Sequence, residues 1–272
     1  MDLGVLDRVY LVTGGSGGLG YATAKQLVAE GARVVISGLT PSDTAQAAET
    51  LGGIDRALGV AGDNSDPATA EMLVQGSVQQ FGRLDGALIS VGGPPPGAVM
   101  DVDDHQWRSS FEAVFLGAIR IARAVAKAVE DDASIAFVLS SSVRAPLPGM
   151  AISNGLRPGL GMVAKALSDE LGTQGIRVNG LMPAWLATPR AVELSAAGHD
   201  NPVNSLRRRG TPEEFGRVAT FLLSPAASYM TGAMIAVDGG ALPRSDPQRS
   251  IPPPRRRHLA AKPGVRDVGR SR

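Results

Sequence analysis

The sequence predicts an α/β domain: a doubly wound parallel sheet of about seven strands with helices on both faces. Three observations carry that prediction. Short β-branched runs alternate with longer amphipathic stretches along residues 1–240, as repeated strand–helix units require. Runs such as Ile135-Ala136-Phe137-Val138-Leu139 are apolar without interruption, the pattern of strands covered on both sides. The first strand candidate also leads straight into a glycine-rich turn and then a helical stretch. Right-handed crossovers between parallel neighbours then wind the sheet in both directions.

Taken in order, strands are expected at residues 9–13, 33–37, 56–61, 86–90, 135–140, 176–181 and 234–237. Helical periodicity marks residues 18–30, 42–51, 67–81, 104–129, 156–171 and 212–223. Asp103 and Asp104 suit the start of the fourth helix, because carboxylates are favoured at the positive end of a helix dipole. His105 beside them reads as a surface residue. Residues 187–205 read as apolar and flexible, with no element assigned. No internal repeat and no linker interrupts residues 1–240, so these form one domain.

Composition narrows the function. The 272 residues include 43% apolar and 19% charged side chains, with 27 basic against 26 acidic. The absence of cysteine excludes disulfide scaffolds, thiolate metal sites and cysteine nucleophiles. His105, His199 and His258 lie far apart, so no metal site is expected. No apolar run approaches the ~20 residues that span a bilayer, and no signal-peptide core opens the chain. A cytoplasmic protein without membrane partners is expected. From Ala241 onward, nine basic residues face only Asp246 and Asp267, a net of +7 that leaves −6 on residues 1–240. This stretch, 241–272, is rich in Pro and Arg and poor in aromatic and β-branched residues, which predicts a disordered basic tail. Its solvated form needs no partner. Nucleic acid is the weaker alternative, since no aromatic side chains interleave with the arginines as stacking platforms.

The turn after the first strand reads Thr13-Gly14-Gly15-Ser16-Gly17-Gly18-Leu19-Gly20. Glycines there let the backbone approach a pyrophosphate, and the following helix start offers unpaired N–H groups and a partial positive charge. Thr-Gly-x-x-x-Gly-x-Gly resembles the cofactor loop of the short-chain dehydrogenase/reductase family, a single-domain Rossmann fold. Further stretches match in order: Gly62-Asp63-Asn64, Ile176-Arg177-Val178-Asn179 with Met182-Pro183 and Thr188, Tyr229-Met230-Thr231-Gly232, and Val237-Asp238-Gly239-Gly240. The resemblance implies a nicotinamide dinucleotide held by Gly14, Ser16, Gly18, Leu19 and Gly20 at its phosphates. It implies Ser37 at the adenine ribose, Asp63 and Asn64 at the adenine, and Ser90, Gly92, Arg157, Pro183 and Thr188 towards the nicotinamide. The second strand ends Ser37-Gly38-Leu39-Thr40. The Ser-Gly pair is similar to members that take NADP, while Leu39 stands where their arginine sits. NADP and NAD both stay open, with the balance tilted to NADP. The fourth-strand loop departs from the family's Asn-Asn-Ala-Gly, reading Ser90-Val91-Gly92-Gly93-Pro94-Pro95-Pro96-Gly97, and its prolines stiffen it and remove N–H donors.

The family's catalytic set is a tyrosine, a lysine four residues on, a serine upstream of both and an earlier asparagine. On that register Ser153 stands at the tyrosine, Arg157 at the lysine, Ser140 at the serine and Val114 at the asparagine. Ser140, Ser153 and Arg157 are therefore the candidate catalytic residues. A serine hydroxyl is too weak an acid to replace a lysine-tuned phenol, whereas a guanidinium grips a ribose or a developing oxyanion without exchanging protons. For Ser153 the competing role is helix capping or packing, for Arg157 a surface ion pair, and for Ser140 a plain loop hydroxyl. Arg144, Trp185 and Pro146-Leu147-Pro148 are expected on the substrate side.

Two functions follow. One is an NAD(P)-dependent carbonyl reductase or alcohol dehydrogenase with an atypical Ser/Ser/Arg site, acting on a small-molecule carbonyl or alcohol. The other is a catalytically impaired member that binds nucleotide as a partner subunit or scaffold. The resemblance also implies a homodimer or homotetramer.

Overall fold

The computed structural model describes residues 2–130, 132–196 and 204–241. The predicted basic tail lies outside the described residues beyond Ala241. Strands β1 (Val9–Val12), β2 (Arg33–Gly38), β3 (Ala57–Ala61), β4 (Gly86–Ile89), β5 (Ala133–Val138), β6 (Ile176–Pro183) and β7 (Met234–Val237) build one sheet. Their order is β3-β2-β1-β4-β5-β6-β7, and every neighbouring pair is parallel. This is the Rossmann arrangement predicted from the sequence. Strand order reverses between β1 and β4, and crevices open at such a point beyond the carboxyl ends of the strands.

Side chains along a strand alternate between faces, and here both faces are dry. Val9, Leu11, Ile89, Ile135 and Phe137 pack on one side with Leu73 of α3 (Thr69–Phe81), Ile121 of α5 (Gly117–Ala128) and Leu160 of α6 (Ala151–Leu171). Tyr10, Val12, Leu88 and Leu181 pack on the other with Leu27 of α1 (Gly18–Ala29), Ala47 of α2 (Pro41–Thr50) and Phe215 of α8 (Pro212–Leu223). At the amino ends of the strands, Asp85 is buried and accepts the Val9 N–H at 2.8 Å while binding the Arg83 guanidinium.

Three differences from the sequence reading have physical reasons. The stretch predicted as one helix begins as α4 (Asp104–Ser110) and passes through a π-helical turn at Phe111–Leu116 into α5. Asp103 caps α4 reciprocally with Gln106, through bonds of 2.7 and 3.1 Å. Helix α6 starts at Ala151, five residues before the predicted start, because Gly155, Pro158 and Gly159 hide its periodicity. Those glycines serve packing: a Cβ on Gly155 would sit 2.8 Å from the Trp107 ring, and one on Gly159 3.1 Å from Phe115. Finally, α7 (Pro189–Ala196) occupies part of the stretch read as flexible. Thr188 opens it by accepting the Ala191 N–H at 3.2 Å, and Pro189 fits the first turn.

Candidate active site

At the carboxyl ends of β1, β4, β5 and β6 lies a cleft of about 750 Å³. Thr13 joins two of its banks. The Thr13 hydroxyl donates to the Ser90 carbonyl at 2.8 Å and accepts the Ser90 N–H at 2.9 Å, so the turns after β1 and β4 are stapled together. Gly14 has φ +59°, and a Cβ there would come 2.8 Å from the Ser90 carbonyl oxygen. A Cβ on Gly20 would meet the Gly14 carbonyl oxygen at 2.2 Å. These glycines make the turn itself possible. Gly17 differs: a Cβ there meets nothing within 4 Å, and the residue lines the cleft. It also precedes α1, whose start carries no side-chain cap and no acidic residue. Free amides, a helix dipole and open space together form an anion cradle. The residues therefore fit a dinucleotide pyrophosphate.

Nine of the sequence-predicted site residues line this cleft: Gly14, Gly18, Leu19, Ser90, Gly92, Ser140, Arg157, Pro183 and Thr188. Ser16, Gly20, Ser37, Asp63 and Asn64 are not among the residues that line it. Ser37 is buried, and its carbonyl accepts the Gly15 N–H at 2.8 Å. Gly38 leaves room for Ser16, whose Oγ lies 2.5 Å from where a Cβ would be. Leu39, 73% exposed, offers no charge at the end of β2. Asp63 is exposed and accepts the Ser65 N–H at 2.8 Å, and the Asn64 carbonyl packs against Gly117.

A profile of the family described as enoyl-(acyl carrier protein) reductase matches residues 14–241. The chain is 32% identical over 241 residues to an uncharacterized oxidoreductase of Methylorubrum extorquens, covering 86% of this chain and 97% of that one. It is 31% identical over 249 residues to the short-chain reductase protein NovJ of Streptomyces niveus, covering 86% and 94% respectively. The chain belongs to the short-chain dehydrogenase/reductase family. Among solved structures it is similar to L-sorbose reductase from Gluconobacter frateurii, complexed with NADPH and L-sorbose. The TM-score is 0.84 at 28% identity, covering 90% of this chain and all of that one.

Within this short-chain dehydrogenase/reductase, the four positions of the catalytic register are treated differently by the fold. Ser140 lines the cleft, and its Oγ accepts the Ser142 N–H at 3.1 Å, which leaves its own proton free to donate. Arg157 also lines the cleft and is only 5% exposed, so the surface ion pair is excluded. Its guanidinium donates to the Val138 carbonyl at the end of β5 and to the Val91 carbonyl at 3.3 Å. Burial pushes this cation down to about 10, since desolvation disfavours the charged form. It remains protonated near neutrality.

Ser153 does not line the cleft. It is buried three residues into α6, with its hydroxyl 3.3 Å from that of Ser142, and so does not cap the helix. Val114 is buried with Ile152 and Leu156, and Val91 and Trp107 pack around them. The position where the family places an amide is thus apolar, and the phenol's position holds the buried Ser153–Ser142 hydroxyl pair.

Leu147, Pro148 and Trp185 line the cleft as expected. Arg144 does not; it is exposed and donates to the Met234 carbonyl at 3.4 Å. The Arg209 guanidinium lies 5.7 Å over the Trp185 ring, and a backbone bridge between Leu186 and Gly210 pins the same segment. Met150, Leu194 and Arg190 complete the wall. Sequence reasoning missed Arg190 because it overlooked α7. The Thr188-Pro189 pair is the signal that finds it.

Proposed function

We propose that this protein is a carbonyl reductase of atypical site, taking NADPH in preference to NADH and acting on a small carbonyl compound or the corresponding alcohol. The observation that carries this reading is one continuous cleft. Its head is the uncapped glycine turn at Gly17, and its floor holds the Ser140 hydroxyl and the Arg157 guanidinium. The tilt to NADPH is supported by the missing acid at the end of β2, since a carboxylate there would repel a 2′-phosphate. It is supported too by the NADPH of the L-sorbose reductase structure.

The amides of Gly14, Gly18 and Leu19 would hold the pyrophosphate, Asp63 and Asn64 would flank the adenine, and Ser90, Gly92 and Thr188 would border the nicotinamide half. A nicotinamide bound there would supply or accept the hydride. Ser140 donates its hydroxyl proton as a hydrogen bond to the carbonyl oxygen. Arg157 faces the same oxygen and stabilises the negative charge that grows there, and its charge acts strongly because the wall around it is dry. Neither side chain releases a proton near neutral pH, so the proton that completes reduction enters from solvent through the mouth. Forgoing a positioned acid costs about 10²–10⁴-fold in rate.

The apolar cluster around Val114 favours a second reading, in which the chain binds nucleotide without turnover as a partner subunit or scaffold. Titration with NADPH and NADH by calorimetry, followed by turnover over a panel of ketones and aldehydes, separates the two. Cofactor-dependent reduction lost in Arg157→Met supports the reductase. Tight nucleotide binding with no turnover on any carbonyl supports the scaffold.

A further inference from the structure

Among the described residues lining the cleft, Arg157 and Arg190 are the charged ones, and no acid joins them there. Arg157 is held on the floor by carbonyls. Arg190 is placed against electrostatic preference, since it sits in the first turn of α7, where the helix dipole disfavours a cation. Its guanidinium lines the cleft and donates to the Pro94 carbonyl at 2.7 Å and to Glu193 at 3.1 Å. Its Nε is buried and makes no hydrogen bond. Gly93 provides the seat, because a Cβ there would lie 3.0 Å from that Nε. The Nε is thus closed off against Gly93, and the atoms Arg190 can offer to the cleft are its two Nη groups, each of which carries a second N–H besides the one given to Glu193 or Pro94.

The phosphates of a dinucleotide are not the natural ligand by position. Thr188, the residue just before α7, meets the glycine turn, its methyl 3.9 Å from where a Gly18 Cβ would be. Arg190 meets Gly93 and Pro94 instead, and shares the cavity wall with Leu147, Pro148, Met150 and Leu194. The Glu193 carboxylate is 64% exposed, and an exposed ion pair of this kind yields readily to a better acceptor.

Resting on the reductase reading above, we infer that Arg190 is a specificity residue: it recognises a carboxylate or phosphate carried by the carbonyl substrate, away from the reacting carbon. The apolar wall takes the chain between the two groups. Arg157 serves the carbonyl end, and the planar fork of Arg190 serves the anionic end.

The test pairs carbonyl compounds that differ only in charge. Levulinate and longer oxo acids are each set beside their methyl esters, and glycerone phosphate beside glycerone. Binding to the NADP⁺-loaded protein is measured by calorimetry, and kcat/KM with NADPH, for wild type, Arg190→Met, Arg190→Lys and Glu193→Gln. At least one acid or phosphate should be preferred over its neutral partner. In Arg190→Met that compound should lose about 10- to 100-fold, as expected for one charge-assisted hydrogen bond, and the neutral partner should lose distinctly less. Arg190→Lys should recover part of the loss. Glu193→Gln should tighten anion binding by removing the competing carboxylate, which a purely structural role for the Arg190–Glu193 pair would not do. The inference is overturned if no pair is discriminated, if acid and ester fall together, or if Arg190→Met weakens NADPH itself by a similar factor. Absence of turnover with intact anion discrimination in calorimetry would sink the reductase reading and leave the anion site standing.

Discussion

Replacing Gly17 with alanine separates the nucleotide cradle from the fold. The Gly17 backbone has φ −165°, an extended conformation open to any residue. A Cβ there finds nothing within 4 Å. Folding should therefore be unharmed, or helped by about 0.4–1 kcal/mol through a less flexible unfolded chain. The added methyl group stands where the pyrophosphate would meet the amino end of α1. Displacing one charge-assisted hydrogen bond there costs about 1.5–3 kcal/mol, which raises the NADPH dissociation constant about 10- to 100-fold. Gly20→Ala is the counterpart. Its Cβ would lie 2.2 Å from the Gly14 carbonyl oxygen, backbone against backbone, so it should lower stability and binding together. Fluorescence titration with NADPH and a thermal melt on each variant provide the readings. Unchanged NADPH affinity in a folded Gly17→Ala protein would show that no phosphate lies on this turn, and the reasoning would fall with it.

Turnover should be level across neutral pH and fall as pH rises through about 10, where buried Arg157 loses the proton that makes it a cation; a rising limb in that range would refute its role. Asp85→Ala should destabilise the domain by about 2–3 kcal/mol, because it strands the buried Val9 N–H and leaves Arg83 without its partner. Urea denaturation reads this loss, and Asp85→Asn, which keeps an acceptor, should recover part of it.

Most of the architecture was legible because strands buried on both faces are written as unbroken apolar runs, as in Ile135–Leu139. The glycine turn was legible because its spacing reports backbone geometry directly. Helix ends were harder wherever glycine did packing work. Gly155 and Gly159 weaken the helical signal of α6, yet they exist because Trp107 and Phe115 press against them. The candidate site divides in the same way. Ser140 and Arg157, placed by register, both line the cleft, since strand ends and helix faces carry register into space. Ser153 was placed by the same count, yet it packs against Ser142 behind the wall. Sequence distance cannot tell which side of a wall a short side chain occupies. Arg190 was missed with α7, whose local signal is the Thr188-Pro189 start, while its contact with Pro94 spans 96 positions and leaves no local trace of its own.

The paired bonds between Thr13 and Ser90 make one bank of the cleft a single preassembled piece. A guest arriving there loses little to ordering its host, so that bank can stay constant while the opposite wall, drawn from α7 and the Leu147–Met150 segment, is rewritten for a new customer. Divergence in what the enzyme accepts can therefore accumulate along one shore without eroding the mooring on the other.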